Sequence, residues 1–126
     1  MILGMKPLPI GIQILSNEGA RFTFHLTGSR FFGGETDHSD WDFITERTQE
    51  VTAFLLESGF VTMNLSMRSL AMRHPSGVDV ILVNPICMNR MLRLHKILAK
   101  WPEFATLPKG FRRGIFDLAH HLGDAR

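Results

Sequence analysis

The six residues Val78-Asp79-Val80-Ile81-Leu82-Val83 constrain this chain more than any other stretch. They read as an apolar β-strand that carries one charge. A carboxylate buried in such a strand without a partner is costly, so the fold has to bring other groups to Asp79. Asn84-Pro85 follows at once, an N-cap residue with proline at the first helical position, and predicts a helix running to about Trp101. Met91, Leu94, Leu98 and Trp101 form its expected apolar stripe. Arg93, Lys96 and Lys100 fall on a different face, and Pro102 ends the helix.

Upstream, residues 10–19 suggest a short helix ended by Gly19. Arg21 to Thr27 alternates, with Phe22, Phe24 and Leu26 on one face and Thr23, His25 and Thr27 on the other, as in a strand. A polar loop with Gly33-Gly34 precedes a second strand, Asp40 to Thr45. Glu46 to Ser58 reads as a helix with Val51, Phe54 and Leu55 on its inner side and Gly59 as its stop. Phe60 to Met63 is a third strand. Ser66 to Arg73 and Val78 to Val83 suggest a hairpin around His74-Pro75-Ser76-Gly77. Leu107-Pro108 starts a last helix, with Phe111, Ile115, Leu118, Ala119 and Leu122 expected to face inward. The order implies a mixed α/β (α+β) fold with one small sheet flanked by helices.

With 126 residues, 44% hydrophobic and 21% charged, one globular domain over residues 1–126 is expected, with its core over about 20–85 and a helical C-terminal part over 84–126. No stretch approaches the roughly 20 apolar residues of a membrane span, and Pro7 and Pro9 interrupt the apolar start, so neither a membrane helix nor a signal peptide is expected. The single cysteine, Cys87, rules out an internal disulfide and a multi-cysteine metal site, and a cytoplasmic location is the simplest expectation. A net charge of +2 does not by itself argue for nucleic-acid binding.

The chemistry concentrates between Leu26 and Phe43. Gly28-Ser29 follows the first strand, and ten residues separate it from Asp40-Trp41-Asp42. Residues two apart on a strand project together, so Asp40 and Asp42 are expected on one side, with Trp41 and Phe43 packing on the other. Alone, such a pair also suits an N-cap or an exposed edge. Two adjacent carboxylates repel each other unless they share a proton or hold a cation, and hard oxygen ligands suit Mg²⁺ or Mn²⁺. If the strand of Asp79 lies beside that of Asp40 and Asp42, three carboxylates converge, as two-metal phosphoryl chemistry requires. Gly28 allows close backbone approach to a phosphate, and Ser29 and the following N–H groups offer donors. Arg30 is either a charge partner for that phosphate or a surface residue. The lysine of a Walker loop is absent.

Gly28-Ser29, the ten-residue gap, Asp40-x-Asp42 and Asp79 together resemble the signature of the DNA polymerase β-type nucleotidyltransferase superfamily. The spacing is most similar to the minimal nucleotidyltransferases, among them antitoxins paired with HEPN toxins. The resemblance covers about residues 20–85 and implies a short mixed sheet flanked by helices. It implies that Gly28 and Ser29 bind a nucleoside triphosphate, with ATP expected, that Asp40 and Asp42 hold metal, and that Asp79 binds metal or activates the acceptor hydroxyl. Trp41 departs from the pattern, being bulkier than the aliphatic residue usual between the two aspartates.

Outside that motif, Arg90, Arg93, Lys96, Lys100, Lys109, Arg112 and Arg113 stand against a single acid, Glu103, between Asn89 and Arg113. They form either a solvated face or a docking surface for a macromolecular acceptor, protein or RNA, with Arg93, Lys96, Lys100, Lys109, Arg112 and Arg113 as its contacts. His38 reads as a solvated loop residue, His25 as a hydrogen-bonded structural one, and His120-His121 as a helix terminus with no third zinc ligand nearby. Phe31-Phe32 is either a base-stacking pair or a loop anchor.

Overall fold

The computed structural model describes residues 8–33, 35–65 and 69–115. Its elements in chain order are α1 (Ile10–Ser16), β1 (His25–Thr27), α2 (Ser29–Phe32), β2 (Trp41–Glu46), α3 (Gln49–Glu57), β3 (Val61–Leu65), β4 (Ser69–His74), β5 (Val78–Val83) and α4 (Pro85–Ala99), followed by a short 3₁₀ turn, Pro102–Thr106. Residues 109–115 are helical. The fold is mixed α/β, with one five-stranded mixed sheet in the order β1-β2-β5-β4-β3. β2 and β5 run parallel; the other neighbours are antiparallel.

The strand of the opening motif sits at the centre of this sheet. Val78, Val80 and Leu82 of β5 pack with Ile12 and Leu15 of α1 and Val51, Phe54 and Leu55 of α3 on one face. On the other face, Ile44 of β2 and Val83 pack with Cys87, Met88 and Met91 of α4. β5 is thus covered by helices on both sides, which is why it reads as a near-continuous apolar run. Trp41 and Phe43 pack against the α1/α3 side, as their alternation with Asp42 requires. Among the described residues no helix is long and apolar enough to cross a membrane.

Local chemistry sets the element boundaries. Glu46 still belongs to β2, and α3 starts only at Gln49 because Thr48 caps it, its hydroxyl accepting from the Val51 amide at 3.2 Å. Strand pairing takes in only His25–Thr27 of the alternating segment 21–27, because the Thr45 hydroxyl donates to the Thr23 carbonyl at 2.7 Å in place of a ladder bond. Phe22 and Phe24 nevertheless pack on the core, Phe22 against Phe54 with ring centroids 5.5 Å apart. α1 ends at Ser16, one turn before Gly19.

β3 runs to Leu65 and leaves Val61, Met63 and Leu65 exposed on the sheet edge. On the inner stripe of α4, Met91, His95 and Leu98 are buried, Leu94 is half-buried and Trp101 is 42% exposed. Phe111, expected inside, is 59% exposed, and Ile115 is half-buried. Residues 66–68 of the expected hairpin, Leu118, Ala119, Leu122 and His120-His121 lie outside the described residues.

The helix that closes the α4 face depends on its cap. The Asn84 side chain accepts from the Cys87 amide at 2.8 Å, with Pro85 at the first helical position. Asn84→Ala should lower stability by about 1 kcal/mol, and Asn84→Asp should recover most of it. Urea unfolding of both variants at equal m-value is the check.

Candidate active site

The pairing register builds the site. Asp42 of β2 lies directly beside Asp79 of β5, Thr27 of β1 beside Asp42, and Arg73 of β4 beside Asp79. Paired residues project to the same side of a sheet, so Thr27, Asp42, Asp79 and Arg73 form one row across four strands. The row lies on the α4 face, at the end of the sheet where β2 and β5 begin, and the apolar patch of Ile44, Ile81 and Val83 continues it into the core.

Asp40 joins from the residue just before β2. The Trp41 amide donates to the Gly77 carbonyl at 2.9 Å, which ties the start of β2 to the turn between β4 and β5. Arg73 then gathers the acids. Its Nη1 donates to both oxygens of Asp79 at 3.0 and 2.9 Å and to Asp40 Oδ2 at 3.1 Å, and its Nη2 donates to Asp40 Oδ1 at 3.1 Å. Arg73 is 35% exposed, Asp40 46% and Asp79 27%, so the cluster opens to solvent.

Asp42 is the most perturbed group in the row. Burial, then the charges of Asp79 and Asp40 and a hydrogen bond with Asp79, push its carboxyl up to about 7, against a smaller opposing pull from Arg73. Hydrogen bonding to Asp40 and the charge of Asp79 hold the Arg73 guanidinium protonated still more firmly than usual. Of the three aspartates expected to converge, Asp40 and Asp79 share a protein cation, and Asp42 is hydrogen-bonded to Asp79. Among the described residues no group of three or more His, Cys, Asp or Glu side chains forms a ready metal cage. By donor type alone, three carboxylates are of the kind that suits a hard divalent cation.

Gly28 closes the other side. Its φ is 71°, a left-handed conformation that favours glycine, and a Cβ there would collide with Asp42 Oδ2. The strand-to-α2 turn is thus folded directly over the central carboxylate, with Ser29 opening α2 beside it. Arg30 is turned elsewhere. It donates to the Ser39 carbonyl at 2.9 and 3.2 Å and to the Thr36 carbonyl at 3.3 Å, and it lies 4.3 Å over the Trp41 ring. In this conformation it holds the loop that delivers Asp40. The bulky Trp41 accordingly serves as a platform for Arg30.

Of the basic residues, Arg93, Lys96, Lys100, Lys109 and Arg113 are exposed. Arg112 is not part of that surface: it is half-buried, donates to the Gly33 carbonyl at 3.0 Å, and keeps its Nε away from solvent. It ties the helical residues 109–115 to the turn after α2.

Two participants were not singled out from the sequence. Arg73 looked like any strand residue, and only its alternation with the buried Met72 could have marked it as facing the other side. His95 sits at helical spacing between Met91 and Leu98, a signal that it belongs to the buried stripe. Its Nε2 lies 2.9 Å from the Thr27 hydroxyl and its ring stacks on Phe31 at 5.0 Å. Burial, then the charge of His25, pushes its pKa down to about 4. This stacking makes Phe31 an anchor of the turn, although it remains 41% exposed.

No family model, curated protein or solved structure matches this chain.

The two perturbed groups act on stability in opposite directions. Between pH 4 and 7 folded Asp42 holds a proton that the unfolded chain has released, so its contribution falls as pH rises through that window. His95 is neutral when folded, so its contribution is present above its unfolded value of 6.5 and is lost as pH falls towards 4. Asp42→Asn removes only the first effect. Without divalent cations, the variant should exceed the wild type by about 1–2 kcal/mol near pH 8, a figure reduced for solvent screening. The advantage should fade towards pH 4. Urea unfolding across that range is the measurement, and equal stabilities at high pH would contradict the assignment.

Proposed function

We propose that this chain is a metal-dependent nucleotidyltransferase of the DNA polymerase β type. It would move a nucleoside monophosphate from a nucleoside triphosphate, with ATP expected, to a hydroxyl of a protein or RNA, releasing pyrophosphate. The observation that carries this reading is the meeting of Gly28, in the turn after β1, with Asp42 of β2 and Asp79 of β5, with Asp40 drawn to the same Arg73 as Asp79. A structural ion pair needs one acid per base, whereas here Arg73 is shared by Asp40 and Asp79, while Asp42, hydrogen-bonded to Asp79, has its carboxyl raised.

Asp40, Asp42 and Asp79 would hold Mg²⁺ or Mn²⁺, which when bound supplies charge neutralisation for attack on the α-phosphate. The other tasks belong to the chain itself. Gly28, without a side chain, lets the turn pack directly on Asp42, and a phosphate at that turn would be met by the Ser29 hydroxyl. Asp79, between Asp42 and Arg73 in the row, would accept the proton of an incoming hydroxyl or serve as a metal ligand. Catalysis of this kind is mostly positioning and charge stabilisation, which a rigid register across a sheet supplies well. A cytoplasmic setting belongs to the same reading.

One observation favours a second reading, in which the chain keeps this fold and works by docking to a partner, as an antitoxin does to its toxin. Arg73 already pairs with both Asp40 and Asp79 without any added ion. Pyrophosphate release separates the two. With Mg²⁺, labelled triphosphate and host lysate, the enzyme reading expects label on a macromolecule and pyrophosphate in solution. Asp42→Asn or Asp79→Asn should cut both on the order of 100-fold or more while the fold survives. Wild-type turnover in those variants would place the chemistry elsewhere.

The acceptor surface can be tested separately. Lys96, Lys100 and Arg113 are exposed and can be reversed in charge without touching the structural Arg112. Macromolecular labelling should fall, most steeply at low salt, while triphosphate affinity stays unchanged. Labelling that is unaffected at every ionic strength would reduce these residues to a solvated face.

A further inference from the structure

A buried histidine on α4 touches the chain on both sides of the Gly28-Ser29 turn. His95 lies on the inner stripe of α4 and is only 5% exposed. Before the turn, its Nε2 lies 2.9 Å from the Thr27 hydroxyl. After the turn, the Phe31 ring stacks on the imidazole, with centroids 5.0 Å apart and planes at 28°. Thr27 is buried too, and in the register it stands beside Asp42. One imidazole thus brackets the turn that packs on the central carboxylate.

The turn has little to hold its shape by itself. Gly28 takes a φ of 71°, and glycine gives up more backbone freedom than any other residue when it is fixed. α2 covers only four residues, far too few for a helix to persist without tertiary contacts. Inside it the Phe31 amide donates to the Gly28 carbonyl at 3.1 Å and the Gly33 amide to the Ser29 carbonyl at 2.7 Å. Arg112 holds the far end at the Gly33 carbonyl. His95 holds the near end, with one directional bond and one ring stack. Its ring is neutral at physiological pH, so it acts on the turn by position and not by charge.

We propose that His95 is a positioning residue of the nucleotide site, fixing the Gly28-Ser29 turn through Thr27 and Phe31 in the conformation that receives the phosphates of a nucleoside triphosphate. The inference rests on the nucleotidyltransferase reading. It adds that a preformed turn sets part of the triphosphate affinity, because a turn that has to be ordered on binding weakens that binding by the ordering free energy.

The test measures the binding of a non-hydrolysable ATP analogue with Mg²⁺ by calorimetry, at a temperature where every variant is folded. His95→Phe keeps a ring against Phe31 and loses the bond to Thr27. Thr27→Val keeps the shape of the side chain and loses the same bond. Each is expected to bind the analogue about five- to tenfold more weakly, the scale of one buried hydrogen bond. The double variant is expected to bind no more weakly than either single one, since both remove a single contact. Thr27→Ser, which retains the hydroxyl, should recover most of the affinity. Leu98→Ala, on the same buried stripe, should lower stability by opening a cavity while leaving the affinity within about twofold of wild type. Hydrogen exchange at the Phe31 amide reads the turn itself. It should speed up in His95→Phe and Thr27→Val and stay unchanged in Leu98→Ala.

A merely structural histidine would not separate its own variants from Leu98→Ala in this way. Unchanged affinity in His95→Phe and Thr27→Val overturns the proposal and leaves His95 as a core residue. An equal loss in Leu98→Ala overturns it as well, because stability alone would then govern the affinity. Unchanged exchange at Phe31 in both variants has the same consequence. A wild-type chain that binds no analogue removes the nucleotidyltransferase reading, and the proposal with it. Should His95→Phe fail to fold, the contrast between Thr27→Val and Thr27→Ser decides the matter by the same measurements.

Discussion

Everything at this site follows from the parallel pairing of β2 with β5 in the register that sets Asp42 beside Asp79. A slip of one residue would turn Asp79 into the α1/α3 core and bring Val78 or Val80 to the α4 face, exchanging a carboxylate for a valine on both sides. Val78, Val80 and Leu82 are fully buried against α1 and α3, and that burial pins the register. The apolar face of β5 thus holds its one charged residue in place, even though like charges there are unfavourable.

The cost of that placement is spread over several elements. Arg73 from β4 compensates Asp79 and Asp40, while Asp42, deeper in the row, responds by holding its proton up to about neutral pH. Around this centre the loops are held from outside. Arg30 clasps the 36–39 loop and covers Trp41, Arg112 grips Gly33, and His95 reaches from α4 to Thr27 at the end of β1. Three side chains with different sequence neighbourhoods thereby keep the turn after β1 and the approach to β2 in fixed positions.

Much of the fold was legible because its signals are local. Asn84-Pro85 marked the start of α4, Gly59 the end of α3, and His74–Gly77 the turn before β5. Where local signals competed with tertiary ones, the reading drifted. The alternation over 21–27 promised a longer strand than β2 pairs with, because a threonine side chain takes up the Thr23 carbonyl. Phe111 looked like a core residue by helical spacing, yet spacing reports only that a face exists, not that a neighbour covers it.

The sequence alone determined which residues could do chemistry: an Asp-x-Asp on one strand, a lone aspartate in an apolar strand, and a glycine ahead of both, because side-chain alternation and the price of a buried charge are properties of short segments. Only the tertiary structure decided what these acids meet. Strand order across the sheet is set by long-range packing, and it laid β2 along the other side of β5, bringing Asp40 to the Arg73 that the β4–β5 hairpin sets beside Asp79. The same packing turned Arg30 and Arg112 inward to carbonyl oxygens. A cation's partner is chosen by what lies within its reach in space, and residues 6 and 33 positions apart in the chain come within reach of one guanidinium only after the sheet has formed.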